Sequence, residues 1–143
     1  MIVMGKKHNR RTKHALVYPQ HVFKPKEFLR FIELRSFSEG WDDLGLNDED
    51  LSALQILIML NPLGPPVVRG SGGLRKIRFA PARWRTGKSG AARIGYAYFK
   101  EYGAALLIIA YAKGEKEDLT ADERKTIRRL IERVKGEFAS GVI

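Results

Sequence analysis

The sequence predicts an α+β domain: a mainly antiparallel sheet, helices packed on it, and a helix that closes the chain. Three observations carry this. The last segment places Ile127, Leu130, Ile131, Val134 and Phe138 at helical spacing. Two short strand-like runs, LRKIRF and ARIGYAY, flank a loop rich in glycine and small residues. A third run, AALLIIAYAK, comes after a turn of hairpin type.

In chain order, residues 1 to 28 stand apart. GKKHNRRTKH is basic and has no apolar period, and Pro19 and Pro25 interrupt the residues after it. This composition predicts a flexible basic extension, with the domain proper at 29–140. His8, His14 and His21 all lie in it, without the i, i+4 spacing of a helical metal site.

Arg30 to Leu34 suits a first strand. Ser36 or Ser38 is the expected cap of a short helix around Trp41. Asn47 caps the next helix, and Asp48, Glu49 and Asp50 fill its first turn, where carboxylates favour the helix dipole. Leu51, Leu54, Leu57, Ile58 and Met59 make that helix strongly apolar, and Asn61-Pro62 ends it. Asp42 and Asp43 read as solvated charges rather than a catalytic pair.

LGPPVVRGSGG is a loop by its Pro and Gly content. After the two strand runs, Leu106 to Ala110 is apolar without alternation, which predicts a central strand covered on both faces. Thr120 and Glu123 form a capping box for the last helix. Arg124, Lys125, Arg128, Arg129 and Lys135 fall away from its apolar stripe.

Composition bounds the function. There are 26 Lys and Arg against 16 Asp and Glu, a net charge of +10, which favours a polyanionic partner. The absence of cysteine excludes disulfides, thiolate metal sites and cysteine nucleophiles, and fits a reducing cytoplasm. No apolar run approaches the ~20 residues of a membrane helix.

The charge is concentrated. Arg75, Lys76, Arg78, Arg83, Arg85, Lys88 and Arg93 fall within Gly70 to Tyr98, a stretch without Asp or Glu. Strand alternation sorts them. Ile77 and Phe79 face the core, so Lys76 and Arg78 share the other face. Ile94, Tyr96 and Tyr98 share one face of the next strand, and Arg93 takes the other, beside Gly95 and Ala97. If the strands pair, Lys76, Arg78 and Arg93 converge on an open face. The small residues leave room over it, and Arg75 and Lys88 border it. Arg83 and Arg85 are loop charges that either grip an anionic partner or are solvated. Gly87-Lys88-Ser89 resembles the end of a P-loop, but Ala82 stands where that motif needs glycine, and the context is strand to strand.

The runs GSGGLRKIRFA, GKSGAARIGYAY and AYAKGEKEDLT resemble the RelE/HigB family of ribosome-dependent mRNA interferases, the toxins of type II toxin–antitoxin modules. FIELRSFSEGWDDLGLNDEDL is similar to the amino-terminal strand and helices of the HigB branch. The resemblance covers roughly Phe28 to Phe138. It implies a small RelE-like domain and cleavage of mRNA in the ribosomal A site by attack of a 2′-hydroxyl on the adjacent phosphate, without cofactor or metal. It further implies a cytoplasmic location and a cognate antitoxin, often with a helix-turn-helix domain.

By the same resemblance, Lys76 and Arg78 occupy the basic positions of the family's K-x-K-type strand, and Arg93 the arginine opening the next one. Lys113 matches a lysine after the last strand, Lys116 a more variable basic site, and Arg75 and Lys88 basic positions of the HigB branch. Lys76, Arg78, Arg93 and Lys113 are therefore the implied catalytic residues. Arg75, Arg83, Arg85, Lys88 and Lys116 are the RNA-binding ones. Fixed cations aimed at the phosphate's nonbridging oxygens lower the barrier, and arginine's fork suits phosphate. A lysine base needs a depressed pKa, which crowding by cations supplies. The tyrosine near the RelE carboxyl terminus is replaced by Thr120. That leaves Tyr96, Tyr111 or a basic residue as general acid, and alternation favours core for Tyr96. Two other readings stand beside this one: a ParE-like gyrase poison of the same fold, and a non-catalytic nucleic-acid-binding domain.

Overall fold

The computed structural model describes residues 28–85, 90–115 and 118–143. The expected basic extension and its three histidines lie outside the described residues, apart from Phe28, which packs half-buried on the core.

The elements are β1 (Arg30–Glu33), α1 (Arg35–Asp43), α2 (Asp48–Leu60), β2 (Arg75–Phe79), β3 (Ala92–Phe99), β4 (Ala104–Tyr111) and α3 (Ala121–Ala139). The sheet order is β1-β4-β3-β2. Strand β1 runs parallel to β4, and the other pairs are antiparallel. The architecture is therefore α+β, a mixed four-stranded sheet with a C-terminal helix, in the order the sequence predicts. No helix among the described residues is long and apolar enough to cross a membrane.

Each face of the sheet carries its own core. On one face, Phe37 and Trp41 of α1 and Leu51, Leu54 and Ile58 of α2 pack against Phe79, Ile94, Tyr96 and Leu107. On the other, the stripe of α3 packs against Leu34, Leu74, Ala97, Leu106 and Ile108. Strand β4 lies between β1 and β3, and Ala104 to Ile108 are fully buried. This is the reason its sequence is apolar without alternation.

The helix starts obey local chemistry. Asn47 accepts from the Asp50 N–H at 2.9 Å and donates its own N–H to Asp50 Oδ2 at 2.8 Å. Thr120 and Glu123 make the same reciprocal pair at α3. Helix α1 departs from expectation. Its N-cap is Leu34, without a side-chain cap, and neither Ser36 nor Ser38 holds that position. The Ser36 hydroxyl donates instead to the Ile108 carbonyl, and Ser38 Oγ donates to the buried Glu33 carboxylate at 2.8 Å. Both serines thus tie α1 to the sheet. Asp42 and Asp43 are exposed at the end of α1.

One irregularity reorders the side chains on the α3 side of the sheet. Gly95 pairs with Ile109 but Tyr96 pairs with Leu107, so Ile108 is an extra residue in β4. Ile108 and Ile109 both turn towards α3. The bulge inverts the alternation beyond it, and Tyr111 lands on the α3 side of the sheet.

Candidate functional site

The register of β2 on β3 pairs Arg78 with Arg93 and Lys76 with Gly95, and that of β3 on β4 pairs Arg93 with Tyr111. Directly opposed residues of an antiparallel pair share a face. Lys76, Arg78, Arg93 and Tyr111 therefore lie together on the α3 side of the sheet. A cleft of ≈ 540 Å³ is lined by Pro65, Pro66, Lys76, Ile77, Arg78 and Arg93. Its size suits a small ligand or one unit of a polymer.

Like charges directly opposed across a strand pair make an unfavourable contact with each other. An anion placed between them would reverse its sign. Arg78 is exposed and Arg93 is partly buried. The Arg93 guanidinium donates from Nη1 to the carbonyl of Ala91, two residues earlier, at 2.7 Å, which restricts its approach. The Lys76 ammonium lies 5.8 Å from the centre of the Tyr111 ring, a cation–π contact. Tyr111 itself is 6 % exposed, and its hydroxyl is buried with no hydrogen-bond partner among the described residues.

The open surface is narrower than the small residues of β3 predict. A side-chain carbon at Gly95 would sit 2.8 Å from Ile109 Cγ2 and 3.0 Å from Leu74 Cδ1. Gly95 therefore lets these two apolar groups close over the strand. Ala97 is buried beneath α3. The open part ends at Lys76 and Arg93.

The remaining basic residues are dispersed. Arg75 is a strand residue that pairs with Tyr96 and so faces the other side. Its Nη1 donates to the carbonyls of Leu63 at 2.9 Å and Pro65 at 2.6 Å. The Tyr96 hydroxyl donates to the Pro62 carbonyl at 2.7 Å. The pair thus pins the 62–65 segment that leads into the cleft wall. Tyr96 is wholly buried, and burial pushes its pKa up to about 12, against the opposing pull of the Arg75 charge. It is a core group, as alternation predicts, and lies across the sheet from Arg93.

Arg83 sits on a short 3₁₀ turn, Ala82–Trp84. It clamps the Asp50 carboxylate with two bonds, 2.6 and 2.7 Å, and reaches the Gly45 carbonyl at 3.2 Å. The Arg83 hydrogen bond holds the Asp50 pKa below its ordinary value, and the same bond raises that of Arg83. Its charge is thereby compensated, and it anchors the turn to the start of α2. Arg85 is exposed in a left-handed conformation, φ 48°. Lys113 is exposed two residues after Tyr111. Lys88 and Lys116 lie outside the described residues.

Sequence reasoning misses two features of the site, its proline wall and the placement of Tyr111. Pro65 and Pro66 form a wall of the cleft, yet their sequence marks only a loop. The Tyr111 ring beneath Lys76 depends on the β4 bulge, and a run of apolar residues such as LLIIA carries no sign of an extra residue.

No family model matches the sequence. Among solved structures, the fold is similar to a double arginine-to-alanine mutant of the E. coli toxin RelE in the free state. That match has 18 % sequence identity and a TM-score of 0.40, and covers 63 % of this chain and 86 % of the other.

Proposed function

We propose that this protein is an endoribonuclease toxin of the RelE/HigB type, cleaving mRNA in the ribosomal A site. The observation that carries the reading is the opposed pair Arg78 and Arg93 with Lys76 beside them, all lining one cleft. Like charges so placed are best accounted for by a phosphate between them. The runs GSGGLRKIRFA, GKSGAARIGYAY and AYAKGEKEDLT supply the choice of mRNA over other polyanions.

In this mechanism the ribose 2′-oxygen attacks the adjacent phosphorus and gives up its proton. The bond from phosphorus to the 5′-oxygen of the next nucleotide breaks, and that oxygen takes a proton. A 2′,3′-cyclic phosphate and a 5′-hydroxyl result. Arg78 and Arg93 bind the nonbridging oxygens and stabilise the charge that grows on them. Lys76, oriented by the Tyr111 ring, holds the phosphate beside the 2′-hydroxyl. Lys113 serves the rim of the site. The protein acts in the cytoplasm, and a cognate antitoxin with a helix-turn-helix domain holds it in check.

The test is induction of the wild type and of Arg93→Ala, with transcript ends mapped afterwards. Wild type should arrest growth and give cleaved transcripts, and folded Arg93→Ala should do neither. A folded, fully toxic Arg93→Ala protein rejects the site. DNA damage with intact transcripts would instead identify a gyrase poison.

A further inference from the structure

Helix α3 carries a second group of cations that the cleft does not use. Gly70 and Gly72, at φ +80° and +75°, bend the segment before β2 back against this helix. Arg128 lies across Gly72 so closely that a side-chain carbon there would sit 2.7 Å from its Cγ. Arg124, one turn earlier, lies against Gly70, with its Cδ 3.9 Å from a side-chain carbon built there. The glycines thus make a bed on which two arginine stems rest. Arg69 and Arg128 are exposed and Arg124 is partly so. None of the three has an ion-pair partner among the described residues. Leu74, buried against α3, separates this ridge from Lys76. Gly72 and Lys76 are four residues apart, at most ~14 Å along even an extended chain.

We infer that Arg69, Arg124 and Arg128 form a second phosphate-binding subsite, which holds the single-stranded RNA flanking the nucleotide in the cleft. The inference rests on the proposed function and adds the path of the substrate: from Arg78 and Arg93, past Lys76, onto the amino-terminal half of α3. Charge alone would also admit an acidic protein segment. The alignment of the ridge with the cleft through β2 favours one continuous polyanion crossing both.

The experiment measures binding of a short, 2′-O-methylated single-stranded RNA, which cannot be cleaved, to the full chain over a series of salt concentrations. Arg124→Gln/Arg128→Gln is compared with wild type and with Lys100→Gln/Lys135→Gln. The latter pair lines the neighbouring groove, which runs from Gly72 and Gly73 to the β3–β4 hairpin end, and removes the same charge. The ridge variant should weaken binding about tenfold at low salt. It should also reduce the slope of log affinity against log salt by about 1.4, at ~0.7 for each phosphate of a single strand no longer neutralised. The hairpin-end variant should stay within about twofold of wild type. Gly72→Ala provides a variant that displaces Arg128 without changing charge, and it should also weaken binding. Equal affinity and slope for the ridge variant and wild type overturn the inference, as does a loss only of binding to a poly-glutamate peptide. If wild type neither binds nor cleaves RNA, the proposed function falls with it. If wild type cleaves through Arg93 and the ridge variant binds normally, this inference alone falls.

Discussion

The buried hydroxyl of Tyr111 allows its role to be separated from that of its ring. Replacing Tyr111 by Phe removes one oxygen and leaves the ring beneath the Lys76 ammonium. That oxygen is desolvated and has no hydrogen-bond partner among the described residues, a condition that costs about 1–3 kcal/mol. Tyr111→Phe should therefore be more stable than wild type by about that amount. For a domain of this size that is roughly 3–5 °C in melting temperature per kcal/mol. Cleavage should be retained, because the cation–π contact at 5.8 Å uses the ring face. Tyr111→Leu removes the ring, and its kcat should fall towards that of Lys76→Ala. The double variant Tyr111→Leu/Lys76→Ala should be no slower than Lys76→Ala alone, since both changes remove one coupled unit. Thermal unfolding and cleavage rates of the purified variants check this. A folded Tyr111→Phe protein that gains no stability and does not cleave would refute the reasoning. It would make the hydroxyl itself a reacting group.

Four further outcomes rest on the packing. Gly95→Ala places a carbon 2.8 Å from Ile109 and 3.0 Å from Leu74. It should cost about 1–3 kcal/mol by overpacking, read as a lower denaturant midpoint. Arg75→Met frees the carbonyls of Leu63 and Pro65, so the Pro65–Pro66 wall loosens; KM for RNA should rise more than kcat falls. Arg83→Gln releases the turn at Ala82–Trp84 from α2, and limited proteolysis should cut there sooner than in wild type. Asp50 has its pKa lowered below the ordinary 3.8 by the Arg83 hydrogen bond. Its folded value thus lies below its unfolded one, so its stabilising contribution is present above 3.8 and is lost as pH falls through the lower folded value. Asp50→Asn should flatten that part of the acid unfolding curve measured by circular dichroism.

The Asn47 N-cap, the Thr120–Glu123 capping box, the order of elements, the central place of β4 and the core role of Tyr96 were legible from sequence, because each depends on neighbours along the chain. Asn47 meets Asp50, and Thr120 meets Glu123, within one helical turn. Alternation alone brings Lys76 and Arg78 to one face and sends Ile77 and Phe79 to the other. The N-cap of α1 was not legible. Ser36 and Ser38 have the chemistry of caps, but β4 and Glu33 offer them tertiary partners that compete with the helix end.

The cluster of cations in Gly70–Tyr98 is a property of the sequence, and so is the expectation of an anionic partner, since charge does not depend on folding. Which cations act together is a property of the tertiary structure. Strand register sets Arg78 against Arg93, while Asp50, far along the chain, takes Arg83 away. Arg75 turns to the opposite face and braces a loop. A single extra residue in β4 carries Tyr111 across the sheet to lie beneath Lys76. Composition records how many charges a chain bears, but their partners are chosen by contacts between segments distant in sequence, and these exist only once the sheet has closed.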